Sequence, residues 1–394
     1  MEILYTISIQ LYVIAIHIAA LFNSKAKLWI KGRKNIFQKL TEAIKEDQDI
    51  VWFHCASLGE FEQGKPIIEG YKLKYPNHKI LLTFFSPSGY EIRKNYDAVD
   101  WTFYLPSDTK KNAKKFITIV KPIKAIFIKY EFWFNYMVEL NKKDIPLYSA
   151  SSIFRREHSF FKYDWFAKQL NNVSHFFVQD QNSKELLKNI GFSNCTIVGD
   201  TRFDSVITNT QNTINIPLIE EFSKNKTTII CGSTWPKDES LIVKYIKENS
   251  NYNYIIAPHE LRHISSLKNQ TNALLLSKAN NTSINSSNVL IVDSIGILSN
   301  AYKYGNIAYI GGGFGSGIHN ILEAATFGLP LIFGPNYRKF KEASELIELG
   351  GAKSISNYSE LKITILYYIN FNKSIAKNYI KRNTGATDII ISSI

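Results

Sequence analysis

Short apolar runs recur along this chain with helix-length segments between them, and that alternation constrains its fold more than anything else. Runs rich in β-branched and aromatic residues begin at Ile50, Val51, Trp52 and Phe53. They return at 79–85, 125–128, 146–149, 175–178 and 196–198. Helical spacing fills the gaps at 62–73, 88–95, 108–120, 132–141 and 182–190. Strands of this kind, separated by helices, predict a parallel sheet covered on both faces. A polar, asparagine-rich stretch follows at 204–226. The pattern then restarts at 227–231, 254–257, 290–292, 307–310 and 329–333. A second α/β layer is therefore expected, and two similar domains with a cleft between them are the natural architecture. The length of 394 residues suits two domains.

The first half carries its chemistry in IVWFHCASLGEFEQG, residues 50–64. The apolar run ends in Ala56, Ser57 and Gly59, then Glu60 and Glu62, and a helical pattern follows. This reads as strand, glycine turn, helix, with Gly59 supplying tight-turn backbone angles. Ligands of open α/β sheets gather where strands end, so Glu60 is placed to act as a base. The plain alternative is a first-turn acid favoured by the helix dipole. His54 and Cys55 are neighbours in a strand, face opposite ways and make a poor metal pair.

The second half has IAYIGGGFGSGIHNILEAATFGLPLIFG, residues 307–334. A strand runs into Gly311, Gly312, Gly313, Gly315 and Gly317, and a helix opens near His319 and Asn320. Glycines admit a ligand close to the backbone, and helix N–H groups suit a phosphate. The spacing is not that of the dinucleotide fingerprint. Glu323 could accept hydrogen bonds from a ribose diol, or cap the helix with Asn320. Gly232 and Ser233 form a second turn able to hold an anion through N–H groups. Pro258, His259, Arg262 and His263 stand at another strand end, where a phosphate or plain solvent would suit them. Glu131 sits at the end of the strand at 125–128. Arg202 stands at the junction of the halves, where a cation could stabilise a leaving phosphate.

Residues 3–22 are almost continuously apolar, close to the roughly 20 needed to cross a bilayer. Lys25, Lys27, Lys31, Arg33 and Lys34 follow. A cleaved signal would carry its charge before the apolar run. Three readings stand: a single anchor, a helix lying in the membrane surface with Trp29 and the lysines at the headgroups, or a buried helix. The formal net charge of +13 points to an anionic partner. No recognition module supports nucleic acid as that partner. Three cysteines without paired spacing argue against a disulfide framework or zinc site, and for a reducing compartment.

Taken in order, these motifs resemble the 3-deoxy-D-manno-octulosonic acid (Kdo) transferases of lipid A assembly. The likeness runs from KLWIKGRK (27–34) through HCASLGEFEQG, LLTFFSPSGYE (81–91), KYEFWFN (129–135), GDTRFD (199–204) and GSTWPKDE (232–239). It continues in APHELRH (257–263) and GILSNAYKYGNIAYIGGGF (296–314), and ends in HNILEAATFGLPLIFGP (319–335). It implies a GT-B fold, two Rossmann-like domains facing a central cleft, with an apolar N-terminal membrane helix. It implies transfer of Kdo from CMP-Kdo to lipid IVA, with inversion, no bound metal and no cofactor, at the cytoplasmic face of the inner membrane.

Carried onto this chain, the family roles fall on particular residues. Glu60 would be the general base, with Glu131 and Arg202 supporting the transition state. Gly232, Ser233, Pro258, His259, Arg262, Gly296, Ile297, Leu298, Gly312, Gly313, Asn320, Ile321, Leu322 and Glu323 would bind CMP. Ser57, Gly59 and Ser88 would face the acceptor. The implied segments are 1–35 for the membrane, 36–206 for the acceptor, 207–226 as a linker and 227–394 for the donor. The chain departs from the family pattern at His259 (commonly arginine), Lys129 (often glutamate), Ile321 (usually proline) and Arg202 (frequently lysine). Two other functions fit the composition: a GT-B enzyme using a UDP-sugar on a lipid, and a membrane-attached nucleotide-binding adaptor without catalysis.

Overall fold

The computed structural model describes residues 1–45, 48–369 and 374–394. Two compact units divide the chain. One holds Met1–Ser205 together with Thr384–Ile394, and the other holds Val206–Asn383.

In the first unit the strands are β1 (Ile50–Cys55), β2 (Lys79–Phe84), β3 (Trp101–Tyr104), β4 (Lys124–Ile128), β5 (Leu147–Ser152), β6 (His175–Val178) and β7 (Cys195–Ile197). They form one parallel sheet in the order β3-β2-β1-β4-β5-β6-β7. Every residue of β1 is buried. Trp52 joins an aromatic core on one face, with Phe116, Phe127 and Tyr136. Val51, Phe53 and Cys55 join a second core on the other face. That two-sided burial is why the strand reads as a continuous apolar run rather than an alternating one.

In the second unit the strands are β8 (Thr228–Thr234), β9 (Asn253–Pro258), β10 (Leu274–Leu275), β11 (Val289–Ile291), β12 (Ile307–Ile310), β13 (Leu331–Phe333) and β14 (Ala352–Ser354). They also form a parallel sheet, ordered β10-β11-β9-β8-β12-β13-β14. In both sheets the order reverses beside the first strand of the unit, at β1/β4 and at β8/β12. Ligands of doubly wound sheets bind at such switch points, beyond the strands' carboxyl ends. The two motifs singled out from sequence follow β1 and β12.

The division into units differs from the sequence expectation at two places. The helix Arg202–Gln211 runs into the expected linker, 207–226, and the helix Pro217–Ser223 lies within it. Residues 384–394 return to the first unit, where a further helix, Ala386–Ser393, packs Ala386, Ile390 and Ile391 onto the core beside Phe61 and Ile68. Asp204 holds it there, accepting from Gly385 N at 2.6 Å and Thr387 N at 2.7 Å. Replacing Asp204 with alanine strands both N–H groups at a helix start, a loss of about 1–3 kcal/mol. Amide exchange in 386–393 is therefore expected to quicken by about tenfold or more; unchanged exchange would show that apolar packing alone seats the tail.

The N-terminal helix Glu2–Ala19 buries no residue, which removes the buried-helix reading. By length and composition it could cross a membrane. Its outward side chains include Ile3, Leu4, Leu11 and Ile18, all more than half exposed. One edge rests on the domain: Tyr5 donates to Asp108 at 2.5 Å and its ring meets Phe134 edge-on, and Tyr12 stacks on Phe85. Trp29 is buried beneath Tyr12 and Phe85 rather than standing at the surface. Arg33 also turns inward, its guanidinium 3.7 Å from the Trp29 ring centroid and donating to the carbonyls of Trp29, Phe85 and Leu105. Of the basic cluster, the lysines alone remain as surface charge.

Candidate active site

The first constellation lies where β1 and β4 end. Ser57 is the N-cap of the helix Leu58–Lys74, and its Oγ accepts from Gly59 N at 3.2 Å. The same hydroxyl donates to Glu60 Oε2, and the ammonium of Lys129 lies 3.2 Å from Glu60 Oε1. Both carboxylate oxygens are thus held, and the Glu60 side chain keeps 14% of its surface exposed. Burial pushes the Glu60 pKa up. The Ser57 hydrogen bond, the Lys129 charge and the helix's own N–H group push it down, and the net result is below the ordinary glutamate value. Glu131 goes the other way: burial raises it, the Glu60 charge raises it further, and Lys129 compensates only in part. Two neighbouring carboxyl groups with opposed shifts are what acid–base chemistry uses.

Gly59 takes ordinary helical angles, and a Cβ there would meet nothing closer than Ser57 Oγ at 3.7 Å. The expected need for a special turn residue is therefore absent. Ser88 lies in the helix Pro87–Arg93, beside Ser57. Phe85 N and Ser86 N both donate to Ala56 O, and a Cβ on Gly89 would lie 3.0 Å from the Ser57 carbonyl carbon.

Lys129 itself needs explaining, because its backbone is left-handed at φ +63°. Its carbonyl accepts from Ser149 Oγ at 3.0 Å and from Ser152 Oγ at 2.6 Å, and its N–H donates to Ala150 O at 2.8 Å. The buried serines of β5 thus offset a conformation that a residue with a Cβ resists. With Lys129→Met, burial dominates the Glu60 carboxyl and its pKa rises. A base must be ionised, so the acid limb of kcat/KM is expected to move to higher pH. An acid limb that stays put would separate Lys129 from the titrating group.

Arg202 opens the helix Arg202–Gln211. Asp200 accepts from its Nε at 2.9 Å and its Nη2 at 2.7 Å. Thr201 Oγ1 donates to Gln63 O at 2.6 Å, which ties this loop to the helix carrying Glu60. Asp200 was not singled out from sequence; it follows Gly199 in the same motif.

The second constellation lies where β8, β9 and β12 end. Ser233 takes φ +53° at a register shift in β8, and Gly232 precedes it. An ideal Cβ on Gly311 would lie 2.2 Å from Ser233 O, and one on Gly313 2.5 Å from Gly334 N. Backbone approaches backbone here, and that is what those glycines permit. Gly312, at φ +90°, donates its N–H to Asp238 Oδ2 at 3.0 Å. Asp238 is fully buried and also accepts from Trp235 N at 2.9 Å and Tyr309 Oη at 2.8 Å. One carboxylate thus ties the turn after β8 to the glycine turn after β12. Sequence reading passed over it, although an acid three residues after Trp235, behind Pro236, is a helix-start signal.

Pro258 closes β9, and His259 N donates to Thr234 O at 2.9 Å. The His259 ring is sandwiched between Trp235 and His319, with centroids 4.5 Å from each. Trp235 Nε1 donates to His319 Nε2 at 3.0 Å, and burial followed by the His259 neighbour lowers the His319 pKa. Arg262 is exposed and paired with Glu260, 72% of its side chain facing solvent. Gly296, Ile297 and Leu298 lead into a one-turn helix, with Gly296 at φ +92°. Asn320 Oδ1 accepts from Leu322 N at 3.0 Å and Asn320 Nδ2 donates to Glu323 at 3.2 Å, so the helix-start chemistry of this pair is real. Ile321 and Leu322 are buried. Glu323 also borders a cavity of about 240 Å³ with Ser299, Asn300 and Phe327. Among the described residues no three His, Cys, Asp or Glu side chains converge as metal ligands.

Two Rossmann-like units with glycine-rich turns of this kind define a GT-B glycosyltransferase fold. Solved structures agree on that fold. A putative UDP-N-acetylglucosamine 2-epimerase from Listeria monocytogenes superimposes with a TM-score of 0.59 at 13% identity, covering 88% of this chain and 96% of that one. MurG from Acinetobacter baumannii gives 0.54 at 11%, covering 88% and 99%. Residues 31–205 match the family described as 3-Deoxy-D-manno-octulosonic-acid transferase (kdotransferase). The chain is 29% identical to the 3-deoxy-D-manno-octulosonic acid transferase of Aquifex aeolicus over 358 residues, 87% of this chain and 92% of that one. Against the enzyme of that name from Rickettsia bellii it is 28% identical, covering 85% and 83%. The chain is thus similar to Kdo transferases over most of its length, and these likenesses together with the fold support a glycosyltransferase.

Proposed function

We propose that this protein moves Kdo from CMP-Kdo to a hydroxyl of the lipid A precursor lipid IVA, with inversion at the sugar. The observation that carries the reading is the Glu60 carboxylate, held ionised by Ser57 and Lys129 at a β-strand end. The acceptor oxygen attacks the anomeric carbon, the bond from that carbon to the phosphate oxygen breaks, and CMP departs with the electron pair. Glu60 takes the acceptor proton. Glu131 and Arg202 support the charge that develops, and the turns at 232–235 and 311–317 supply N–H groups to the leaving phosphate. Asn320 and Glu323 hold the nucleoside. Ser57, Gly59 and Ser88 face the acceptor.

The acceptor is an anionic lipid, and the N-terminal segment suits a membrane surface. The outward side chains of the Glu2–Ala19 helix are mostly large and apolar, with Ser8, Gln10 and His17 exposed among them. A groove of about 630 Å³ runs beside it, with Val13, Ile30 and Phe37 among its apolar walls and Lys31, Lys34 and Lys115 at its charged edge. Lysines beside apolar surface favour anionic headgroups. We place the protein at the cytoplasmic face of the inner membrane.

Thermal unfolding with CMP and with UDP tests the donor. Protection by CMP is expected, and protection by UDP alone would replace the cytidine donor with a uridine one. Release of CMP from CMP-Kdo should depend on added lipid IVA; release that ignores the lipid would break the acceptor assignment.

A further inference from the structure

In the second unit the Tyr302 hydroxyl stands against the turn at Gly232. Tyr302 opens a short 3-10 turn, Tyr302–Tyr304, directly after the Gly296–Leu298 segment and its one-turn helix. The side chain is 2% exposed. Its hydroxyl is not among the fully buried polar atoms left without a partner, so no desolvation cost holds it away from a ligand. An ideal Cβ on Gly232 would lie only 2.1 Å from Tyr302 Oη and 3.0 Å from Leu298 Cδ2. The missing side chain at Gly232 is therefore what lets the phenol reach the turn. The 3-10 turn packs on the helix that carries Glu323. Burial, the Glu323 charge and the Cys231 thiol hold the phenol pKa well above its ordinary value, so the proton stays on and the group acts as a donor.

We infer that Tyr302 and Glu323 together recognise the ribose diol of the donor nucleotide. The carboxylate accepts a hydrogen bond from one ribose hydroxyl, and the Tyr302 phenol donates to the oxygen of the other. An acceptor and a donor side by side complement a vicinal diol, because each hydroxyl can both give and receive. Tyr302 thereby becomes a specificity residue for ribonucleotides over their deoxy analogues. The inference rests on the cytidine-nucleotide reading given above and adds a residue to it.

The test is equilibrium binding of CMP, 2′-deoxy-CMP and 3′-deoxy-CMP to the full chain and to Tyr302→Phe. Unliganded melting temperatures show that the phenylalanine variant is folded. Tyr302→Phe is expected to bind CMP about three- to tenfold more weakly, the range of one neutral hydrogen bond. It should also lose the penalty for removing one of the two ribose hydroxyls while keeping the penalty for the other. Equal weakening toward all three nucleotides, or unchanged CMP affinity, would overturn the inference. Should the wild type ignore cytidine nucleotides and bind another ribonucleotide, the cytidine reading fails, and the same comparison on that nucleotide decides Tyr302. Binding of no ribonucleotide at all would remove both.

Discussion

Glu60→Gln is expected to lower the transfer rate by about 10²- to 10⁴-fold while leaving CMP affinity unchanged. That range corresponds to about 3–5 kcal/mol of barrier. Glutamine keeps the shape and can still accept from Ser57, so the turn between β1 and the Leu58–Lys74 helix should survive. What is lost is the lone pair of an anion able to take a proton. The wild-type profile carries a sign that follows from the site. Glu60 titrates below the ordinary glutamate range, so kcat/KM should hold as pH falls through that range and drop only beneath it. If Glu60→Gln retains near-normal rates, the base lies elsewhere, and Glu131 becomes the first candidate because burial and the neighbouring charge keep its pKa raised.

Asp238→Ala should cost the second unit on the order of 4 kcal/mol and abolish measurable CMP binding. Three donors, Trp235 N, Gly312 N and Tyr309 Oη, converge on this one buried carboxylate. Removing it leaves each of them unpaired away from water, at about 1–3 kcal/mol apiece before relaxation. The two glycine turns then lose their common anchor. Asp238→Asn should cost less, since one carbonyl oxygen still accepts, although its NH2 group faces a donor. Stability changes below about 1 kcal/mol for the alanine variant, read from denaturant unfolding, would show that backbone packing around Gly311 and Gly313 suffices to fix the turns.

What sequence could and could not reveal divides along physical lines. β1 and β12 were legible because strands buried on both faces leave continuous apolar runs. β3, β10 and β14 were missed because they are short: Leu274–Leu275 has two residues, and Ala352–Ser354 places a lysine mid-strand. Each of these lies at or beside a sheet edge, where burial imposes less. Glu60 was legible because serine, glycine and acid follow a strand in a fixed spacing. Its pairing with Lys129 was not, since that depends on a left-handed residue held by serines about 20 positions away. Arg33 and Trp29 read as part of a basic, membrane-facing stretch. In the structure Arg33 turns inward over aromatic rings, and the buried Trp29 is among them, an arrangement set by Phe85 and Tyr104 from the distant β2–β3 region. The tail is the remaining case. Its helix Ala386–Ser393 is held by Asp204, some 180 residues earlier.

The most direct measurement is the mass of lipid IVA recovered after incubation with the purified protein and CMP-Kdo. The account predicts a product heavier by one or more Kdo units, formed by the wild type and nearly absent with Glu60→Gln. Lipid of unchanged mass from a folded protein that binds CMP would contradict it.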